Sequence, residues 1–258
     1  MTSTDTIHPA RSLESEERRG IAADLRLLAA MHGEEPTAAF LDALQGEGVE
    51  ELFHLAPATA DALEVCDFFE QALAATGRDE GALHELAADF AAIYLTYSHR
   101  VSPSESPWID PEGLTSQESM FATRDWYRHY GLKAANWRKL PDDHLVAELV
   151  FLAHLFDLDD RPHAAADAAR FLDRHLLRWY GSFCAGVVRR AWTPYWAAVA
   201  KLTGVYLESL RDRLTSTIGV EREIFEPIDA EKERRRAAQV QHETCAAPSI
   251  PQDRELGW

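Results

Sequence analysis

The feature that most restricts this chain is a helical apolar period running almost from end to end. Apolar residues recur three or four apart at Ile21, Leu25, Leu28 and Met31, and again at Leu83, Leu86, Phe90, Ile93 or Tyr94, and Tyr97. The spacing returns at Leu145, Leu149, Leu152 and Phe156, at Ala165, Ala169, Leu172, Leu176 and Trp179, and at Val199, Leu202 and Tyr206. Each stripe falls on one face of a 3.6-residue helix and needs another element to cover it. No period-two run bounded by turn residues is found, so strands are not expected. The predicted fold is all-α, a single compact body of about nine to eleven helices.

Punctuation agrees with this reading. Gly33, Gly77 and Gly131 each fall just past a periodic stretch, where a left-handed C-terminal cap suits glycine. Thr115 and Glu118 have capping-box spacing and predict a helix start beside Ser116. Pro141 and Pro162 are expected in first helical turns. Two stretches break the pattern: residues 98–115, a long loop with three prolines and Trp108, and a charged, polar tail. A loop of that size in a helical body often carries a site. The predicted organisation is a helical domain over 1–214 and a charged tail over 215–258, helical only in part.

Charge narrows the class of partner. The 258 residues carry a formal net charge of −17, which repels phosphate backbones and anionic lipid, so neither nucleic acid nor a membrane surface is expected as a partner. The excess serves solubility alone or is aimed at a basic ligand. Eight carboxylates stand against two arginines between Asp142 and Asp173, either a solvated face or a negative rim. Cys66, Cys184 and Cys245 are scattered without a C-x-x-C, which fits a reducing cytoplasm and offers no metal cage. Arg18 and Arg19 precede an apolar stretch that imitates an export signal, but Asp24 and Arg26 interrupt it, so an amphipathic helix of the mature chain is expected. Nothing approaches the roughly 18 uninterrupted apolar residues of a membrane span.

The common catalytic and metal motifs are missing: no H-E-x-x-H, P-loop, dinucleotide fingerprint or G-x-S-x-G. Only Glu51 to His54 has Glu-x-x-His spacing, half of what a di-iron bundle needs. His144 and Glu148, four apart, offer two ligands without a visible third, so no metal and no other cofactor are expected. The stretch L-P-D-D-H-L over 140–145 stands out. Either Asp142 or Asp143 caps a helix with His144 on the surface, or Asp143 and His144 project together into a groove that takes a cationic ligand. As an acid–base pair they would instead suit a small helical hydrolase or nucleotidase, although no nucleophile or oxyanion donor is traceable.

Five segments in register resemble the molybdoenzyme chaperones of the TorD, DmsD and NarJ type. They are DFAAIYLTY over 89–97, SPSESPW over 102–108, YRHYGL over 127–132, LPDDHLVAELVFLAHL over 140–155, and FLDRHLLRWYGSF over 171–183. The resemblance implies a cytoplasmic, cofactor-free, non-enzymatic chaperone that binds the apo catalytic subunit of a molybdoenzyme and its twin-arginine signal peptide until molybdopterin is inserted. It also implies a monomer or a domain-swapped dimer, and assigns peptide contact to Trp108, Pro141, Asp143 and His144, and more weakly to Glu105, Ser106 and Gly131. Pro107 stands where the family often has an aliphatic residue, and the tail beyond Leu210 is longer than the family pattern.

Overall fold

The computed structural model describes residues 13–46, 48–55, 59–96, 101–134, 140–158, 161, 163–235 and 237. Among them the chain forms α1 (Ser15–Gly33), α2 (Ala38–Gly46), α3 (Val49–Leu52), α4 (Ala60–Ala75), α5 (Glu80–Phe90), α6 (Ser106–Ile109), α7 (Glu118–His129), α8 (Leu145–Asp157), α9 (Ala164–Arg174), α10 (Leu176–Arg190) and α11 (Pro194–Ile218). A π-helical turn, Ala91–Leu95, continues α5, and a further helical stretch spans 228–235. No strand occurs among the described residues; a single bridge pairs Ser104 with His144. The fold is all-α, and none of these helices is long and apolar enough to cross a membrane.

Two helices organise the core. The α11 helix buries Tyr195, Trp196, Val199, Leu202, Tyr206, Leu207, Leu210 and Leu214, and packs on α4, α9 and α10. The α8 helix packs along α1 and against α9. The single stripe expected on α8 widens, because Phe151, Ala153 and Leu155 are buried as well as Leu145, Leu149, Leu152 and Phe156. A helix covered on most sides belongs at the centre of a layered body rather than on its surface. Arg18, read as the start of a false export signal, lies in α1 and donates from Nε to the carbonyl of Phe156 at 3.2 Å.

Several local expectations are corrected. Gly131 ends α7 at φ +71°, as a left-handed cap requires, but Gly33 and Gly77 do not, since α1 and α4 run directly into extended residues Glu34 and Thr76. Gly77 instead allows close packing: a Cβ there would sit 2.7 Å from that of Ala82. The Thr115–Glu118 capping box does not form. Ser116 turns the chain at φ +57°, and α7 starts at Glu118 with Gln117 as its N-cap, whose N–H donates to Ser106 Oγ at 3.2 Å. Pro141 is not in a first helical turn, since α8 begins only at Leu145; Pro162 lies outside the described residues.

The α11 helix continues past residue 214 to Ile218 and ends on Gly219 at φ +72°. The chain then folds back as a strap. Arg174 makes a two-pronged pair with Glu223 at 2.8 Å for each bond, Arg178 pairs with Glu231 and lies over the ring of Phe225, and Lys232 donates to the carbonyl of Pro107 at 3.1 Å. Arg235 reaches Glu118 at 3.2 Å. Residues 238–258 lie outside the described part.

Candidate functional site

The long loop is stitched to the segment before α8 by its backbone. Glu105 N–H donates to the carbonyl of Asp143 at 3.0 Å, and Leu145 N–H to that of Pro103 at 2.8 Å. The carboxylate of Asp143 completes the seam by accepting from both the N–H (2.7 Å) and the hydroxyl of Ser106. Asp143 is wholly buried, and burial raises its carboxyl above the ordinary range against the opposing pull of the Ser106 bonds. Trp108 is half-buried, its indole N–H donating to the carbonyl of Ser102 at 2.8 Å.

Asp143 and His144 do not act together. His144 is the N-cap of α8, its Nδ1 accepting from Val146 N–H at 3.2 Å, and burial lowers its imidazole to about 4, so the ring is neutral. Neighbours in sequence, the two side chains take different partners, so the expected acid–base pair is not assembled and the hydrolase or nucleotidase reading lacks support. Neither Asp143 nor His144 stands at an exposed acidic lip, because both lie in the seam between loop and helix at 0% and 3% exposure.

The acidic run over 142–173, open to a solvated face or a negative rim from sequence, is largely taken up in ion pairs and hydrogen bonds. Arg124 clamps Asp142 from Nε and Nη2 at 2.9 and 2.7 Å. Arg26 pairs with Asp157, Tyr130 and Arg170 bond Asp167, and buried Arg211 holds buried Asp173 through two bonds of 2.7 and 2.8 Å. Glu148 is buried. Asp159 and Asp160 lie outside the described residues. His54, of the lone Glu-x-x-His, instead contacts Asp24, whose carboxylate also accepts from the N–H groups of His54 and Leu55 and from the Tyr206 hydroxyl.

The structure opens a groove where Pro141 lies. A cavity of about 420 Å³ runs between the end of α7 and the outer face of α8, walled by Tyr127, Leu132, Leu140, Pro141, Val150 and Phe151, with Lys133 and His154 at its edges. Val150 is 49% exposed, an apolar side chain facing solvent on the outer side of α8. Gly131, beside Leu132, turns the chain at the end of α7. Of the sequence-derived candidates, the groove takes in Pro141 alone, whereas Asp143, His144, Ser106 and Glu105 are buried behind it. Tyr127 and Phe151 were not singled out from sequence, because an aromatic residue on a periodic face reads as core; Tyr127 in addition donates to the carbonyl of Asp142 at 2.8 Å.

A second opening, of about 480 Å³, lies between α6, α7 and the strap and reaches the edges of Glu105 and His175. His175 occupies the break between α9 and α10, with φ −120° and ψ −93°. Its Nδ1 meets Glu105 Oε2 at 2.8 Å and Thr123 Oγ1 at 3.2 Å. No spacing rule joins residues 70 apart, so this contact had no signal in the sequence.

Residues 56–185, half of the chain, match the family model described as the nitrate reductase delta subunit. The chain belongs to this family. The matched span holds the loop, the seam and the groove-lining residues of α7 and α8. Among curated relatives, the chain is 25% identical to the chaperone protein TorD of Shewanella pealeana over 201 residues, covering 75% of this chain and 89% of that protein. It is 27% identical to the Tat proofreading chaperone DmsD of Salmonella typhimurium over 153 residues, 53% of this chain and 73% of that one. It is 28% identical to the chaperone protein YcdY of Escherichia coli over 130 residues, half of this chain and 65% of that one. The family resemblance carried by the five segments is thereby shown.

Proposed function

We propose that the protein is a cytoplasmic chaperone that binds the apo catalytic subunit of a molybdoenzyme, together with its twin-arginine signal peptide, and holds it until molybdopterin is inserted. The observation that carries this is the open apolar groove beside Pro141, inside the span matched by the family and in a chain whose curated relatives are named as chaperones. A twin-arginine signal joins two cations to an apolar, helix-prone stretch. The groove wall of Leu132, Leu140, Val150 and Phe151 suits the apolar stretch, and the net charge of −17 attracts the cations.

Asp143, Ser106, His144 and Glu105 have a positioning role in this proposal. They hold the loop against α8, so that Pro141 and Trp108 keep their places. Gly131 serves by giving α7 its sharp end. Burying roughly 500 Å² of apolar peptide surface at about 25 cal/mol per Å² yields about 12 kcal/mol gross, much of it offset by ordering and association. Binding is the whole activity in this reading, and no bond is made or broken.

The test is calorimetric titration of the full chain with a twin-arginine signal peptide and with its Lys-Lys counterpart, alongside co-purification from native cells. Tighter binding of the twin-arginine form and recovery of an apo molybdoenzyme subunit are expected. Equal or absent binding of both peptides, with no such subunit recovered, overturns the proposal.

A further inference from the structure

We propose that Glu105, Glu148 and His175 form a binding site for one divalent first-row transition-metal ion, with Zn²⁺ as its representative. The three side chains come from the start of α6, the first turn of α8 and the α9–α10 break, and one ligand atom of each lies within 4.8 Å of the others. All three are buried, at 1%, 0% and 4% exposure, so this is not a surface cluster of carboxylates. His144, which shares a four-residue spacing with Glu148, caps α8 and takes no part in the cluster. The missing ligands arrive from elsewhere in the chain.

Independent evidence for a ligand is the state of Glu148. Neither of its oxygens completes a hydrogen bond of normal geometry, although Glu105 and the indole N–H of Trp179 lie close enough to interact with it. A carboxylate fully removed from water without partners is strongly disfavoured. Burial, and then the charge of Glu105, push the Glu148 carboxyl well above its ordinary range. A divalent ion removes that conflict, because two carboxylates and an imidazole bring its charge to zero and give both Glu148 oxygens a partner.

The donor set selects the class of metal. Two carboxylate oxygens and one imidazole nitrogen suit Zn²⁺ or Mn²⁺, whereas Mg²⁺ and Ca²⁺ favour all-oxygen shells and Cu⁺ favours sulfur. Bonds of about 2.1 Å in tetrahedral geometry place ligands about 3.4 Å apart. The Glu105–His175 pair at 2.8 Å must open slightly, and the remaining separations, at most 4.8 Å, must close by side-chain adjustment. The 480 Å³ opening reaches Glu105 and His175, giving an approach path and a free coordination position. The arginines at its rim are already paired, Arg174 with Glu223, Arg178 with Glu231 and Arg235 with Glu118 and Glu231, so they do not present bare positive charge to an incoming cation.

The experiment is isothermal titration of chelator-treated full-length protein with ZnCl₂ and, in parallel, MgCl₂. One Zn²⁺ per chain with micromolar or tighter affinity and no saturable Mg²⁺ binding are expected. Glu148→Gln should weaken Zn²⁺ binding at least tenfold while circular dichroism and thermal melting show an intact fold. His175→Gln should do the same, and should remove the nitrogen ligand from the X-ray absorption spectrum of the zinc complex. Should His175→Gln fail to fold, Glu148→Gln decides alone. Absence of stoichiometric Zn²⁺ binding, or binding that Glu148→Gln leaves unchanged, means that the cluster is a proton-sharing network and overturns the proposal.

Discussion

The Asp143 carboxylate accepts both the backbone N–H and the hydroxyl of Ser106, tying the first turn of α6 to the segment before α8 across 37 residues of sequence. The site therefore rests on a buried polar seam with an apolar groove outside it. Because Asp143 is wholly buried, Asp143→Ala leaves the Ser106 N–H without its acceptor, while the hydroxyl keeps Ser119 within reach, and is expected to destabilise the protein by about 1–3 kcal/mol. A urea titration of this variant beside Asp143→Asn measures it. A loss of stability below about 1 kcal/mol contradicts the seam.

The groove has a more direct probe. Val150 is 49% exposed and lines the cavity, so Val150→Glu should leave the melting temperature within a few degrees of the parent while weakening binding of an apolar signal peptide by tenfold or more. Unchanged affinity in a fluorescence-polarisation titration places the peptide elsewhere on the molecule.

Arg211 and Asp173 form a pair with 0% and 1% side-chain exposure. Removal of one member strands the other charge, so Arg211→Ala should cost about 3–5 kcal/mol. The double variant Arg211→Met with Asp173→Leu should recover most of that loss. Equal destabilisation of single and double variants in chemical unfolding counts against a stranded-charge origin.

Stability should depend on pH with opposing signs. Burial depresses His32 to about 3 and His144 to about 4, from 6.5 when unfolded. Their contribution is present in full above pH about 6.5 and is lost as pH falls toward those values, with a slope of about 1.4 kcal/mol per pH unit for each ring near pH 5. His32→Gln should remove one proton from that slope, measured by urea midpoints between pH 7 and 4.5. Glu148 runs the other way. Its carboxyl is raised well above 4.5, so its contribution is greatest below that value and is lost as pH rises. In metal-free buffer the stability of Glu148→Gln relative to the parent should therefore increase from pH 5 to pH 8.

The groove and the seam were legible to different degrees. Pro141 reads from its own context as a first-turn proline and enters the site only through the family resemblance; the structure sets it on the groove wall. The string around it misled over Asp143 and His144, since adjacency along the chain does not reveal that one side chain turns toward Ser106 and the other back toward Val146. Acidic density between residues 142 and 173 likewise looked like a rim, because the cations that neutralise it come partly from other helices: Arg26 of α1, Arg124 of α7 and Arg211 of α11.

The sequence by itself determined the helices and their class. Their apolar period is a local property, set by 3.6 residues per turn, and the segments from Ile21 to Tyr206 carry it without reference to anything distant. Only tertiary structure decided which charges face water. Glu105, Glu148 and His175 come together over 70 residues of sequence because the α9–α10 break and the bridged loop converge on the first turn of α8. Burial and pairing depend on that convergence, and electrostatic cost depends on burial far more steeply than on residue type.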